Sequence, residues 1–403
     1  MTDDDGLTVG QRVRRLRTRQ GMSLATLANL SGLSKGYLSR VENGERILDQ
    51  RRSLHAVADA LRVPVSRLTG QPYDPTTRSD ETVRAALTDI SDAITGTVLG
   101  ERDEKPTRNI DTLEHLTSQL QQLSSDGAFS ALAPTVPQLL DDLHGHAAGP
   151  DGGIRQRALF SLVLALNETH WVSKCAGQFD LAWLVAERAA QAAAEHGDPA
   201  VVGLGDFIRT QSLTRSGERV RNRAGKIACR AADKLQRHAG KVGPAAEVYG
   251  ALHMAAAWAA TLTGRDTDSE THLAEAAETA DRTGNGVAFR LWFGPNEMGI
   301  LRAAIAVEHG DGGAVEDATR SVVPATMPSR GRQADFFIQM GRGLAQEPAR
   351  RARAVEMLHR AERLAPMRTR MDPFVRQTVD RLLHEAGGTE LRQMGKRMGI
   401  LSG

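Results

Sequence analysis

Residues 21–44 read GMSLATLANLSGLSKGYLSRVENG, and this stretch decides the fold. Ser23 stands where it caps a helix running to about Ser31, with Leu24, Leu27 and Ala28 facing inward. Gly32 supplies a tight turn, and Ser34 caps the next helix, which runs through Lys35, Tyr37, Leu38, Arg40 and Val41 to Asn43 and Gly44. Two short helices joined by a glycine turn are the geometry that sets the second helix into the major groove of DNA, about 12 Å wide. Side chains near the start of such a helix and one turn later reach base edges, which selects Lys35, Gly36 and Arg40.

Working outward, Val9, Val13 and Leu16 recur at helical spacing among arginines, and Gly21 stops that helix. Beyond the reading helix, a helix over Arg52 to Leu61 and a short one over Val65 to Leu68 complete a five-helix unit. Gly70-Gln71-Pro72-Tyr73-Asp74-Pro75 then breaks helical continuity, because proline disfavours helix in the residue before it. The DNA-binding domain is therefore expected over residues 1–72.

Arg17, Gly21, Ser23, Leu27-Ala28, Gly32-Leu33-Ser34, Tyr37 through Gly44 and Ala58-Asp59-Ala60-Leu61 resemble the phage-repressor-like (Xre) family of helix-turn-helix regulators over about 65 residues. The resemblance implies a lambda-repressor-like fold, an ion pair between Arg17 and Glu42 tying the first helix to the end of the third, and a phosphate contact from Asn43. Two positions depart from the family pattern. Leu24 stands where a backbone-gripping glutamine is usual, leaving that contact to Ser23 or to amide groups at the helix start. Gly36 presents no side chain where a base is often read, so readout rests on Lys35, Tyr37, Ser39 and Arg40. Ser34, Arg15 and Arg46 complete the expected DNA-contacting set, with Arg15 gripping backbone. The alternative for this unit is a helix-turn-helix that has become a protein-interaction module.

Charge supports the DNA reading. Residues 1–72 carry 12 Lys/Arg against 7 Asp/Glu, while the whole 403-residue chain has a formal charge of only +2. A solvated basic helix would show the same excess. With 40% apolar, 25% charged and only 4% aromatic residues, the chain reads as globular and all-α. Its length calls for more than one structural unit. Cys175 and Cys229 lack CxxC spacing and read as buried thiols in a reducing compartment. Met1 to Gly6 is polar rather than a leader, and no run of 18 apolar residues occurs; a cytoplasmic protein with no membrane partner is expected.

Helical segments at about 80–97, 108–124 and 128–146 form a connector over 73–154. From 155 to 403 a turn followed by an alanine-rich helix recurs, with small residues at 182, 228, 274, 314 and 354, as in an α-solenoid. The whole chain resembles actinobacterial regulators that join an Xre domain to tetratricopeptide-like repeats, in the stretches Phe293-Gly294-Pro295-Asn296, Ala306-Val307-Glu308 and Ala361 to Pro366. That resemblance implies a repeat domain that senses a peptide or small molecule, dimerises, or does both. Asn167, His170 and Trp171, with Trp183, Trp258, Trp292, Phe293 and Asn296, are candidate lining groups; for each aromatic, core packing is the competing reading, and for Asn296 a helix cap.

No GxxxxGK[ST] or HExxH motif occurs, His144 and His146 lack a third metal ligand nearby, and Cys175 near His170 is a weak nucleophile. No catalytic residue, metal or cofactor is expected. The reading is a homodimeric, sequence-specific DNA-binding transcriptional regulator; a repeat-domain scaffold recruited to DNA is the alternative.

Overall fold

The computed structural model describes residues 7–101, 106–214, 217–385 and 387–401; Met1 to Gly6, read above as a polar start, lie outside them. Among the described residues every regular element is a helix and no strand forms. The N-terminal head consists of α1 (Val9–Arg19), α2 (Leu24–Ser31), α3 (Lys35–Glu42), α4 (Arg51–Ala60) and α5 (Val65–Thr69).

Side-chain oxygens start the first three helices. Thr8 and Gln11 bond each other's backbone N–H, Ser23 Oγ accepts from Thr26 N at 3.0 Å, and Ser34 Oγ accepts from Tyr37 N at 3.1 Å. Gly32, in the left-handed region at φ 68°, ends α2 and lets α3 turn away. α1 crosses α3 so closely that a Cβ on Gly10 would stand 2.0 Å from the Val41 carbonyl oxygen. Val13, Leu27, Leu38, Val41, Leu54, Val57 and Leu68 fill the core beneath these helices.

After the head come α6 (Arg78–Gly96), α7 (Ile110–Ser125), α8 (Phe129–Leu132) and α9 (Val136–Ala147). The single segment expected over 128–146 is broken by a 3-10 turn at Ala133–Thr135, where Pro134 and Pro137 cannot donate to the helical ladder. The chain continues as α10 (Gly152–Cys175), α11 (Phe179–His196), α12 (Pro199–Leu213), α13 (Glu218–Leu235), α14 (Pro244–Leu262), α15 (Asp266–Thr283), α16 (Pro295–His309) and α17 (Ala314–Ala318). It ends with α18 (Arg330–Ala345), α19 (Arg351–Leu364), α20 (Pro366–Arg370), α21 (Pro373–Glu385) and α22 (Thr389–Arg397).

From α10 onward, consecutive helices pack as antiparallel hairpins, each against its neighbours, which makes the array a solenoid. The recurring small residues 182, 228, 274, 314 and 354 fall on α11, α13, α15, α17 and α19, the second helix of each hairpin. One apolar core runs from Val83 on α6 to Ile305 on α16 and takes in Met367 and Met371, so α6 to α9 share it with the repeats; a second core spans Ile300 to Met398.

The head does not hang free. Phe374 of α21 inserts into its core, and α4 lies against the array. No helix among the described residues is long and apolar enough to cross a membrane.

Candidate nucleic-acid interface

α3 buries Leu38 and Val41 in the head core and turns its other face to solvent, where Ser34, Lys35, Gly36, Arg40 and Asn43 are exposed and Ser39 is half-exposed. This is one polar, basic stripe at helical spacing. Asn43 is the C-cap of α3 and Arg46 is exposed just beyond it. Ser23 is exposed at the start of α2, and the first-turn amides of that helix lie outside the i→i−4 ladder, the usual geometry of a phosphate seat. Arg15 is half-buried on α1 and engaged with neighbours.

Tyr37 differs from the expectation of base contact. Its hydroxyl donates to the Ile47 carbonyl at 3.1 Å, pinning the loop after α3, and burial with the nearby Asp49 charge pushes the phenol up to about 12. Spacing alone put it on the reading face; its ring packs against the head core.

Arg17 donates Nε to Glu42 Oε1 at 2.6 Å and Nη2 to Glu42 Oε2 at 2.7 Å, while Nη1 donates to the Met22 carbonyl at 2.9 Å. This bidentate bond removes the Glu42 charge from the DNA face and raises the Arg17 guanidinium further above its ordinary value.

The array then holds the head at the loop between α3 and α4. Gln50 offers α4 no side-chain cap; instead Glu308 of α16 accepts from the Arg51 backbone N–H through Oε2 and from Arg51 Nη1 through Oε1 at 2.8 Å. The fully buried Arg342 of α18 reaches Glu308 Oε1 at 3.3 Å and the Asp49 carbonyl at 2.9 Å. Arg381 of α21 pairs with Asp49 at 2.7 Å, and Arg221 of α13 with Asp59 at 3.3 Å. Reading local motifs missed this clamp, whose partners lie up to 332 residues apart. The only local signal was acidic Asp49 and Asp59 in a basic head.

Arg51 also reaches a cavity of about 240 Å³ behind the head, walled by α10, α12, α14, α16 and α18. Of the expected lining groups, the structure brings Trp171, Trp258 and Phe293 to this wall. It does not bring Asn167, His170, Trp292 or Asn296 there. Asn167 turns into the core and bonds Glu168 at 3.1 Å, and His170 is sealed at 0% exposure, because α10 is buried on nearly every side. Asn296 does not cap α16; its backbone N–H donates to Asn285 Oδ1 at 3.2 Å. Trp183 lines an outer groove between head and array. Cys175 and Cys229 are half-buried rather than sealed as expected. His144 and His146 turn to different carbonyls, those of Leu140 and Arg108, both at 2.8 Å.

A capped α2, a glycine turn and an exposed basic stripe on α3 define a helix-turn-helix head. Residues 8–69 match the family model described as "Helix-turn-helix domain". The head is 34% identical over 59 residues to the HTH-type transcriptional repressor RghR of Bacillus subtilis (strain 168), covering 15% of this chain and 44% of that protein. It is 35% identical over 65 residues to an immunity repressor protein of Bacillus phage phi105, covering 16% of this chain and 44% of that one. Less than half of each relative is thus spanned. No solved structure matches the chain.

Proposed function

We propose that this protein is a sequence-specific DNA-binding transcriptional regulator of the phage-repressor-like type, acting as a homodimer whose helical array senses a small molecule or peptide. In this reading residues 1–72 form the DNA-binding domain, 73–154 a helical connector and 155–403 a tetratricopeptide-like sensor and dimerisation domain. The observation that carries it is the exposed stripe Lys35, Ser39, Arg40 and Asn43 on a capped α3, with Glu42 neutralised by Arg17. Lys35 and Arg40 donate to guanine O6 and N7; Ser23, Ser34, Asn43, Arg15 and Arg46 hold phosphates. Two relatives named as repressors match this head.

The clamp at Glu308, Arg342 and Arg381 favours a sensor over an adaptor. The head sits against the array, and Glu308 of α16 and Arg342 of α18 both bond the start of α4 and the loop before it, so a shift between those two helices would act on α4. Two heads of a dimer would read half-sites about 34 Å apart, and moving them apart or together changes affinity.

Selection of genomic fragments bound by the full-length protein tests the reading, run beside the Lys35→Ala/Arg40→Ala variant. A shared, roughly palindromic motif that the variant loses is expected. Equal recovery of random DNA by both proteins overturns it.

A further inference from the structure

The cavity behind Arg51 is too small for a peptide. At about 240 Å³ it exceeds the ~150 Å³ that holds a benzene ring by room for a second ring or a short arm. Phe207, Met254, Trp258, Phe293, Ile300 and Leu301 form an apolar wall that faces the charged side chains of Arg51, Glu297, Arg332, Asp335, Arg368 and Asp372.

At its polar end the charges are spent on one another. Arg368 forks onto Asp335 at 2.7 and 2.6 Å, and Arg332 Nη1 donates to Glu297 Oε1 at 2.9 Å; both guanidiniums lie against the Trp171 ring. One atom is left over. Glu297 Oε2 is buried and, among the described residues, has no hydrogen-bond partner. Burial lifts the Glu297 carboxyl above its ordinary value, against the opposing charge of Arg332.

A second observation lies in the segment before α16. Phe289, Arg290 and Trp292 all have positive φ, at 50°, 54° and 58°, a left-handed conformation that bulky side chains rarely adopt. The segment is held there by Glu247 Oε2, which accepts from Ala288 N at 2.8 Å, and by Gly286 N donating to the Phe293 carbonyl at 2.7 Å. The result is that Leu291 and Phe293 face the cavity. Backbone strain of this kind collects at ligand clamps.

We propose that this cavity is the effector site, and that it takes a compact, largely apolar, uncharged molecule of about two fused rings that donates one hydrogen bond to Glu297 Oε2. As an effector site it rests on the sensor reading above; as a binding site it stands on the cavity itself. Arg51, the first residue of α4, lines the same space, so an occupant touches the head as well as the array.

The test uses the full-length protein and two probes that share the naphthalene ring and differ by one methyl group on the oxygen, 2-naphthol and 2-methoxynaphthalene, followed by calorimetry and by quenching of tryptophan fluorescence. The first probe is expected to bind about tenfold tighter than the second, the size of one hydrogen bond. Glu297→Ala should bring 2-naphthol down to the level of the methyl ether, and Ala304→Phe, which fills the cavity, should abolish binding. If Ala304→Phe fails to fold, the probe pair on the unaltered protein still decides. Absence of binding, equal affinity for the two probes, or undiminished binding by folded Ala304→Phe overturns the site. Saturating 2-naphthol should also change affinity for the selected DNA motif at least threefold; binding without that change overturns the effector role. A protein that binds 2-naphthol but selects no motif instead refutes the regulator reading and leaves the site standing.

Discussion

Replacing Glu308 by alanine should loosen the head from the array. The carboxylate is 4% exposed and serves three donors: the Arg51 backbone N–H, Arg51 Nη1 at 2.8 Å and Arg342 Nη2 at 3.3 Å. Arg342 is itself buried, so the truncation strands its guanidinium away from water. Breaking a buried pair from one side costs about 3–5 kcal/mol, and losing an N-cap about 1 kcal/mol. Because one carboxylate does both, the two figures overlap and about 4 kcal/mol is expected for Glu308→Ala. Glu308→Gln retains an acceptor for the α4 amide and should cost about half as much. Replacing the charged pair together, Glu308→Ala with Arg342→Met, should recover much of the loss, because the uncompensated charge is gone. Urea unfolding of the parent, Glu308→Ala, Arg342→Met and the double variant gives the coupling energy, and hydrogen exchange at the first turn of α4 reports whether the head has lifted. A Glu308→Ala protein within about 0.5 kcal/mol of the parent, or strictly additive single and double changes, would refute the clamp.

Three further expectations follow from the head and the core. Arg40→Ala should cost about 1–3 kcal/mol at the selected DNA motif and relax its specificity, while Arg15→Ala weakens all sequences alike; electrophoretic titration against motif and random DNA distinguishes them, and equal losses for Arg40→Ala would refute base reading. Glu42→Ala leaves Arg17 with only the Met22 carbonyl and should destabilise the head by about 1–3 kcal/mol; an unchanged urea midpoint counts against the pair. Burial lowers His144 to about 4, against 6.5 in the unfolded chain, so between those values only the unfolded state takes up the proton. Stability therefore falls as pH drops from 6.5 to 4, by up to about 3 kcal/mol from this group, and His144→Leu should flatten the pH dependence by that amount; identical slopes in the two proteins would show that His144 protonates in the folded state.

How much of this was legible in the sequence depends on how far apart the interacting residues lie. Ser23, Gly32 and Ser34 act on backbone within three residues of themselves, so α2 and α3 could be placed within a residue or two from residues 21–44 alone. The turn at Pro134 was less visible, because it tightens the helix without leaving the right-handed region: Ala133, Thr135 and Val136 all keep helical backbone angles. In the array, the recurring small residues marked the second helix of each hairpin; Ala182, Ala228 and Ala354 are buried there, whereas Ala274 is exposed. Those marks did not show which helices face the head. Asn167 and His170 share α10 with Trp171, yet of the three only Trp171 reaches the cavity: His170 points about 100° away round the helix, into the core, and Asn167 lies a turn earlier. Phe293 and Glu308 both stood in stretches singled out for resemblance, and both proved to carry contacts: one walls the cavity, the other caps α4. Their chemistry could not be read in place. Glu308 needs a partner 257 residues away, and Gln50, which leaves α4 uncapped, looks from its own neighbourhood like any polar residue before a helix. Periodicity records what a residue does within its own helix, whereas the clamp and the cavity arise only where the head meets the inner face of the array.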